Sequence, residues 1–162
     1  MEQIYREYSQ PVYRYCFTLT RRADLAEELT QEVFFEAVRC IHRYDGSCKL
    51  VVWLCQIAKH KWYDWLKKQK VRQMVDLDEL EQQPAAQPGP EQAIDQKEAA
   101  ARIYRCIHRL APEAREIVLL RLLTGFSFRE IGQIVGQSEN AARVNFYRAK
   151  TKLAQWLQEE GN

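Results

Sequence analysis

Glycine and proline are scarce in this sequence, with six and five among 162 residues. So few helix-breaking residues argue against a fold built mainly from tight turns. Leucine, alanine, glutamate, glutamine, arginine and lysine are plentiful instead, and all have high helix propensity. The composition therefore predicts an all-α protein.

Long apolar runs are also missing. No stretch approaches the ~20 consecutive apolar residues that a membrane-spanning helix needs. The first ten residues, MEQIYREYSQ, carry charges and do not resemble a secretion signal. We therefore expect a cytoplasmic protein without direct insertion into a membrane.

The five cysteines form no CxxC pair, so we expect free thiols in a reducing cytosol. A metal site at Cys40, His42 and Cys48 is conceivable, but this spacing matches no strong zinc template. The chain also lacks the GxxxxGK[ST] loop that cradles phosphates. We thus expect no metal, no cofactor and no use of ATP.

Charge is divided unevenly along the chain, although the formal net charge is only +2. Residues 1–75 hold 13 Lys and Arg against 9 Asp and Glu, residues 76–98 hold 1 against 7, and residues 99–162 hold 10 against 6. Three prolines in the middle segment forbid a continuous helix there. We therefore predict two small helical domains, 1–75 and 99–162, joined by a flexible acidic linker, 76–98.

The stretch 127–153 has the pattern of a helix-turn-helix. Ser127 followed by Glu130 is a capping-box pattern, so a helix should begin directly after the serine. Gly136 supplies the break, because glycine enters the left-handed region at no steric cost. Ser138 then caps a second helix.

The two sides of that second helix differ in character. The inner side is small and apolar, and consists of Ala142, Phe146, Ala149 and Leu153. The outer side is polar and cationic, and consists of Asn140, Ala141, Val144 and Arg148, flanked by Arg143, Asn145 and Tyr147. Such a helix suits a DNA major groove, although an ordinary helical hairpin would give the same order of elements.

Three helices are predicted in the N-terminal domain. The first spans 2–20, with Pro11 kinking or dividing it. The second opens with Asp24 as its N-cap and runs to about residue 42. The third spans 49–70 and follows a turn signal.

Four helices are predicted in the C-terminal domain. One covers 97–110, and the next starts at Pro112 and ends at Gly125. The helix-turn-helix supplies the remaining two.

Two faces of the N-terminal domain are candidate binding surfaces. The outer face of the second helix is acidic, and consists of Glu28, Gln31, Glu32 and Glu36. It is either plain solvated surface or a docking surface for a basic partner. The second half of the third helix interleaves cations (Lys59, Lys61, Lys67, Lys68, Lys70, Arg72) with His60, Trp62, Tyr63 and Trp65. Lysines attract phosphate and aromatics stack on unpaired bases, although core aromatics beside solvated lysines would give the same pattern.

Three stretches, in this order, resemble a bacterial RNA polymerase sigma factor of the extracytoplasmic-function (ECF) group of the sigma-70 family. Residues 28–34, ELTQEVF, resemble the region 2.2 signature of that family. Residues 53–60, WLCQIAKH, with Asp64 further on, are similar to the W-L-x-x-I-A-x-N-x-x-x-D segment of regions 2.3 and 2.4. Residues 111–153 resemble region 4. The resemblance covers nearly the whole chain.

The resemblance implies an alternative sigma factor that is not an enzyme. It would bind core RNA polymerase and direct promoter-specific transcription initiation. Core polymerase would be bound by Glu28, Gln31, Glu32 and Phe34. The opened −10 element would be bound by Tyr44, Lys59, His60, Lys61 and Lys67, with His60 standing where most members have Asn. The −35 element would be read by Asn140, Arg143, Val144, Tyr147 and Arg148.

An anti-sigma factor is a further partner that the resemblance implies, besides core RNA polymerase and promoter DNA. Two other hypotheses remain open. One is a stand-alone helix-turn-helix regulator with residues 1–75 as a sensing or dimerising domain. The other is a metal-dependent nuclease using Glu28, Glu32, His42 and His60, but carboxylates at helical spacing are more often plain surface.

Overall fold

A computed structural model describes residues 2–73 and 94–161 of the chain. All regular structure within these two ranges is helical, so the predicted all-α fold is confirmed. The chain divides into two compact units near residue 85. The N-terminal unit contains α1 (Glu2–Thr20), α2 (Ala23–Cys40), a 3-10 turn (Ile41–Arg43) and α3 (Leu50–Gln73). The C-terminal unit contains α4 (Ile94–Arg109), α5 (Pro112–Thr124), α6 (Phe128–Val135) and α7 (Glu139–Gly161).

Most of the predicted acidic linker, 76–98, lies outside the described residues, and its flexibility stays a prediction. Its C-terminal end differs from the expectation, because α4 already begins at Ile94. The observed start of α4 lies three positions before the predicted start at residue 97. The first residue of a helix is hard to predict from helix propensity, because backbone capping sets the helix end as much as the buried face does.

Two expectations for the N-terminal unit were wrong in detail. Pro11 was expected to kink or divide α1, and division is wrong, because α1 continues through it as one helix with buried side chains on the following turn. Asp24 is not the N-cap of α2. Arg22 occupies that position with extended backbone, and its guanidinium binds the Asp24 carboxylate at 2.6 Å in the first turn of the helix.

The N-terminal unit packs three helices around one core. Tyr15 from α1, Val33 from α2 and Leu54 from α3 are all at most 1% exposed. The two buried threonines satisfy their hydroxyls locally: Thr18 donates to the Tyr15 carbonyl at 2.7 Å, and Thr30 donates to the Ala26 carbonyl at 2.6 Å. The core therefore contains no unpaired hydroxyl from these two residues.

The C-terminal unit is built around the contact of α5, α6 and α7. Ile117, Leu120 and Ile131 are fully buried, α5 and α6 both pack against α7, and Ala142 on the inner face of α7 is fully buried too. Side chains this small let the helix axes approach closely, because no long chain separates the two backbones. This packing fixes the angle at which α7 leaves the unit.

All five cysteines are free. Cys16, Cys55 and Cys106 are buried, and burial raises the pKa of the Cys16 thiol to about 11. Within the described ranges, no three His, Cys, Asp or Glu side chains converge as a metal site would require. No described helix has both the length and the apolar character needed to cross a membrane.

The close approach at Gly132 generates the first prediction. A Cβ on this residue would lie 2.6 Å from the backbone carbonyl oxygen of Gln137, a contact that no flexible side chain can relieve. We therefore expect Gly132→Ala to lower the free energy of unfolding by ~1–3 kcal/mol, measured by urea denaturation. Gly161→Ala is the matched control, since its nearest neighbour would be a side-chain atom of Arg102 at 3.7 Å. Equal free energies of unfolding for the two variants would contradict the claim that the close approach requires glycine at position 132.

Candidate nucleic-acid interface

The turn between α6 and α7 has the predicted helix-turn-helix geometry. The Ser127 hydroxyl accepts from the Glu130 N–H at 3.1 Å, and the Ser127 N–H donates to the Glu130 carboxylate at 3.1 Å. Gly136 ends α6 in the left-handed region with φ 76°. The Ser138 hydroxyl then accepts from the Ala141 N–H at 3.1 Å and caps α7. These four features confirm the predicted caps and turn.

The inner and outer faces of α7 also follow the prediction. Ala142 and Ala149 are buried, and Phe146 and Leu153 are partly buried against the same core. The outer face is exposed at all five positions predicted to read DNA, which are Asn140, Arg143, Val144, Tyr147 and Arg148. Val144 and Tyr147 are 37% and 52% exposed, so the face combines apolar, aromatic and cationic groups.

An aromatic and cationic cluster supports one edge of this face. The Phe128 ring contacts the rings of Phe146 and Tyr147, with centroids 5.4 and 6.0 Å apart. The Arg121 guanidinium lies 4.5 Å from the Phe128 centroid and that of Arg143 lies 5.5 Å away. Such cation–π contacts restrict the side chains that make them. Tyr147 and Arg143 are thus held by their neighbours instead of moving freely in solvent.

Arg143 is already engaged in an ion pair on its own helix. Its guanidinium lies 3.0 Å from the Glu139 carboxylate, and both side chains are about half exposed. A pair so exposed contributes little to stability. A phosphate or a guanine could therefore compete for the guanidinium at small cost.

Arg148 faces a cavity of about 380 Å³ that lies between α7 and the junction of α4 and α5. Arg109 and Lys152 also line it, and Trp156 closes one side. The Arg109 guanidinium stacks on the Trp156 ring at 4.3 Å. Three cations around one opening give an electropositive site beside the outer face of α7.

A chain of side-chain hydrogen bonds joins α7 to the start of α5. The Asn145 side-chain amide donates to the side-chain carbonyl oxygen of Gln137 at 2.9 Å. The side-chain amide of Gln137 donates to the Glu113 carboxylate at 2.7 Å. Gln137 occupies the turn itself. The pattern of apolar residues carries no signal for these contacts, and the sequence analysis did not find them.

In the N-terminal unit, Tyr44 is fixed at the base of the loop before α3. Its hydroxyl donates to the Cys48 carbonyl at 2.6 Å, and its ring packs on Trp53 with centroids 5.3 Å apart. The loop is further ordered by Asp45, whose carboxylate accepts from the Ser47 N–H at 2.9 Å. That bond lowers the pKa of Asp45, so the contact is present at neutral pH.

The second half of α3 projects its aromatic and basic groups outward. Trp62 and Trp65 stack with centroids 4.9 Å apart and planes 10° apart. Tyr63 and Trp65 are 46% and 38% exposed, so the alternative that these aromatics are core residues is wrong for both. The Lys59 ammonium lies 5.8 Å from the Tyr63 ring.

The remaining predicted cations of this surface differ in their surroundings. His60 and Lys67 are exposed. The Lys61 ammonium instead lies 3.7 Å from the Glu36 carboxylate of α2. Lys61 therefore bridges α3 to α2 as well as contributing charge to the surface.

The acidic face of α2 is exposed at Glu28, Gln31 and Glu32, as predicted. Phe34, which was predicted for the same surface, is instead buried and packs edge-on against the Tyr5 ring at 4.9 Å. Its neighbour Phe35 is 67% exposed. Adjacent residues lie about 100° apart on a helix, so the exposed phenylalanine ring of α2 belongs to Phe35 and not to Phe34.

Two family models match this chain, one for each unit. That of Sigma-70 region 2 matches residues 4–72, and that of Sigma-70, region 4 matches residues 100–153. The chain belongs to the sigma-70 family. The region 2 match spans α1 to α3, and the region 4 match ends within α7, after the whole helix-turn-helix.

Curated relatives place the chain in the ECF group of that family. It is similar to the ECF RNA polymerase sigma factor BldN of Streptomyces coelicolor, with 31% identity over 160 residues, which is 98% of this chain but only 60% of BldN. It is also similar to the ECF RNA polymerase sigma factor SigM of Bacillus subtilis, with 30% identity over 155 residues, covering 94% of this chain and 92% of SigM. These relatives favour an alternative sigma factor over a stand-alone regulator.

Solved structures share the fold of this sigma factor. The sigma factor RpoE from Bartonella quintana, in complex with the anti-sigma factor NepR, has a TM-score of 0.76 at 19% identity, covering 97% of this chain and 96% of RpoE. CnrH, in complex with the cytosolic domain of CnrY, has a TM-score of 0.68 at 17% identity, covering 98% and 87%. At such identities the likeness concerns the helical architecture.

The anchoring of Tyr44 generates the second prediction. Tyr44→Phe keeps the ring on Trp53 but removes the hydroxyl bond to the Cys48 carbonyl. We expect the free energy of unfolding to fall by ~1 kcal/mol, measured by urea denaturation followed by tryptophan fluorescence. Tyr63→Phe is the control, because the Tyr63 ring is exposed and its recorded contact is through the ring face. A larger loss for Tyr63→Phe than for Tyr44→Phe would contradict the anchor.

Proposed function

We propose that this chain is an alternative sigma factor that binds core RNA polymerase and directs transcription from particular promoters. Its N-terminal unit opens the −10 element, and its C-terminal unit reads the −35 element. One observation carries the proposal: a basic, aromatic helix and a cationic helix-turn-helix lie in two units of a chain whose two family matches are sigma region 2 and sigma region 4. The domains act as 1–75 and 99–162, joined by the acidic segment 76–98.

In the C-terminal unit, α7 enters the major groove of the −35 element. Val144 offers an apolar surface that suits a thymine methyl group. Arg148 and Arg143 bind guanine edges or phosphates, and the cluster around Phe128 holds Tyr147 at the side of the groove. Asn140, in the first turn of α7, contacts the same promoter element.

In the N-terminal unit, α3 and the loop before it hold the opened −10 element. Opening DNA breaks base stacking, which costs ~1.4 kcal/mol per step. Exposed Tyr63 and the stacked tryptophans beside it offer aromatic surface that partly replaces this stacking. His60 and Tyr44 line the position of a captured base, and Lys59, Lys61 and Lys67 hold phosphates.

Core polymerase binds the acidic face of α2 through Glu28, Gln31 and Glu32. Phe34 supports this face from beneath, since it is buried and its ring packs on that of Tyr5 in α1. The partner surface must then be basic, because three neighbouring acidic and amide groups favour cationic side chains.

The remaining properties follow from the same role. The factor works beside polymerase in the cytoplasm, is not an enzyme, and needs neither a metal nor another cofactor. An anti-sigma factor binds it, as the anti-sigma factor NepR binds RpoE in the similar structure.

Binding to core polymerase separates this proposal from the stand-alone regulator. The purified chain should co-purify with core RNA polymerase, and Glu28→Lys with Glu32→Lys should abolish the complex. Retained binding to promoter duplex in the same double variant is the control for folding. A wild-type chain that binds duplex DNA but never core polymerase would favour the regulator.

Arg148 is expected to contribute both affinity and sequence preference. Arg148→Ala should weaken binding to a −35 duplex by ~1–3 kcal/mol and relax preference at one base position. Fluorescence anisotropy with duplexes varied at each position measures both effects. Lys150→Ala is the control. The Lys150 ammonium lies toward the Tyr147 ring, so its loss should change binding to all sequences alike. An unchanged preference in Arg148→Ala would refute a base contact.

His60 is expected to act in opening and not in polymerase binding. His60→Ala should slow formation of the open complex, because an exposed imidazole that contacts an unpaired base is lost. Permanganate reactivity of unpaired thymines measures opening, and gel filtration measures core binding. His42→Ala, another exposed histidine of the same unit, should leave opening unchanged. Equal loss of core binding in His60→Ala would mean that the residue is structural.

A further inference from the structure

The hydrogen-bond chain from Glu113 through Gln137 to Asn145 has only one consistent direction. A carboxylate can only accept, so the Gln137 group that faces Glu113 must be its amide nitrogen. The side-chain carbonyl oxygen of Gln137 must then face Asn145, and the side-chain nitrogen of Asn145 must donate to it. The distances of 2.7 and 2.9 Å agree with this order. The charge on Glu113 thereby fixes the orientation of an amide on another helix.

The Asn145 carbonyl oxygen is the group left over at the end of this chain. It points away from Gln137, and within the described residues no donor is recorded for it. Asn145 lines the same cavity as Arg148. Arg148 lies three positions after Asn145 in α7, so the two side chains are neighbours on the helix surface. The oxygen is therefore available at the border of the face that reads DNA.

The backbone holds Gln137 firmly enough for such a role. Its N–H donates to the Gly132 carbonyl at 2.8 Å. Its own carbonyl oxygen lies so close to Gly132 that a Cβ there would be 2.6 Å away. The backbone of Gln137 is thus fixed by the turn, and its side chain is held by the hydrogen bonds to Glu113 and Asn145.

We propose that Glu113 and Gln137 are positioning residues that make Asn145 a hydrogen-bond acceptor toward the −35 element, so that it selects a base with an amino group in the major groove. Adenine N6 and cytosine N4 are such donors, whereas guanine O6 and thymine O4 are acceptors. The inference rests on the proposed function of the C-terminal unit, and it adds a specificity residue to the five outer-face positions.

Glu113→Gln tests the direction of the chain without altering its shape. A glutamine can donate as well as accept, so the amides of Gln137 and Asn145 become free to reverse together. Asn145 could then offer its nitrogen to guanine or thymine. We expect the preference for amino over keto bases at one position to fall from ~tenfold to less than ~twofold, chiefly because keto bases bind better than before.

The measurement is enrichment of random −35 duplexes by the full-length chain, sequenced for wild type and variants. Glu159→Gln removes the same charge from an exposed carboxylate near the end of α7 and should leave the preference unchanged. Adding Asn145→Asp to Glu113→Gln should restore the amino-base preference, because aspartate cannot reverse into a donor. Whether adenine or cytosine is enriched distinguishes the two sources of the amino group.

Three outcomes would overturn the inference. Glu113→Gln could leave every base preference unchanged, or it could weaken all duplexes equally, as a purely structural residue would. The wild-type chain could also enrich no duplex, which would leave Asn145 no base to select. Failure of the proposed function is seen separately, as lack of binding to core polymerase in a chain that still enriches duplexes.

Discussion

The close packing of α6 against the turn that starts α7 determines what the C-terminal unit can present. Gly132 allows the carbonyl of Gln137 to approach the α6 backbone, and Gly136 in the left-handed region lets the chain reverse directly afterwards. Ala142 continues the contact along α7. With the inner side held by small residues, the opposite side projects as a straight, exposed surface. Every group proposed to touch the −35 element depends on that geometry.

The N-terminal unit also combines a small buried core with exposed surfaces. The first half of α3 is buried in a three-helix core, while its second half carries exposed aromatics and cations. Tyr44 ties the preceding loop to Trp53, near the start of this helix. Lys61 joins α3 to the acidic helix α2 through Glu36. The surface proposed for opened DNA and the surface proposed for polymerase therefore lie on helices that pack against each other.

Local patterns predicted much of this architecture, and the reasons are physical. Capping at Ser127 and Ser138 and the left-handed Gly136 depend on residues a few positions apart, so the sequence displays them directly. Phe34 was placed on the acidic surface because of the family resemblance, and its burial depends on contact with the Tyr5 ring of another helix, which the sequence of α2 does not display. The bonds among Glu113, Gln137 and Asn145 join residues on three segments. Their meeting depends on tertiary packing, which no periodicity in the sequence records.

The central claim is that one chain holds a promoter at two places, with each unit recognising its own element. Run-off transcription with core RNA polymerase, this chain and a library of random promoters tests it most directly. We expect the transcribed templates to share two sequence blocks at a fixed spacing, and both blocks to be required. Transcription from templates with one shared block, or with none, would contradict it.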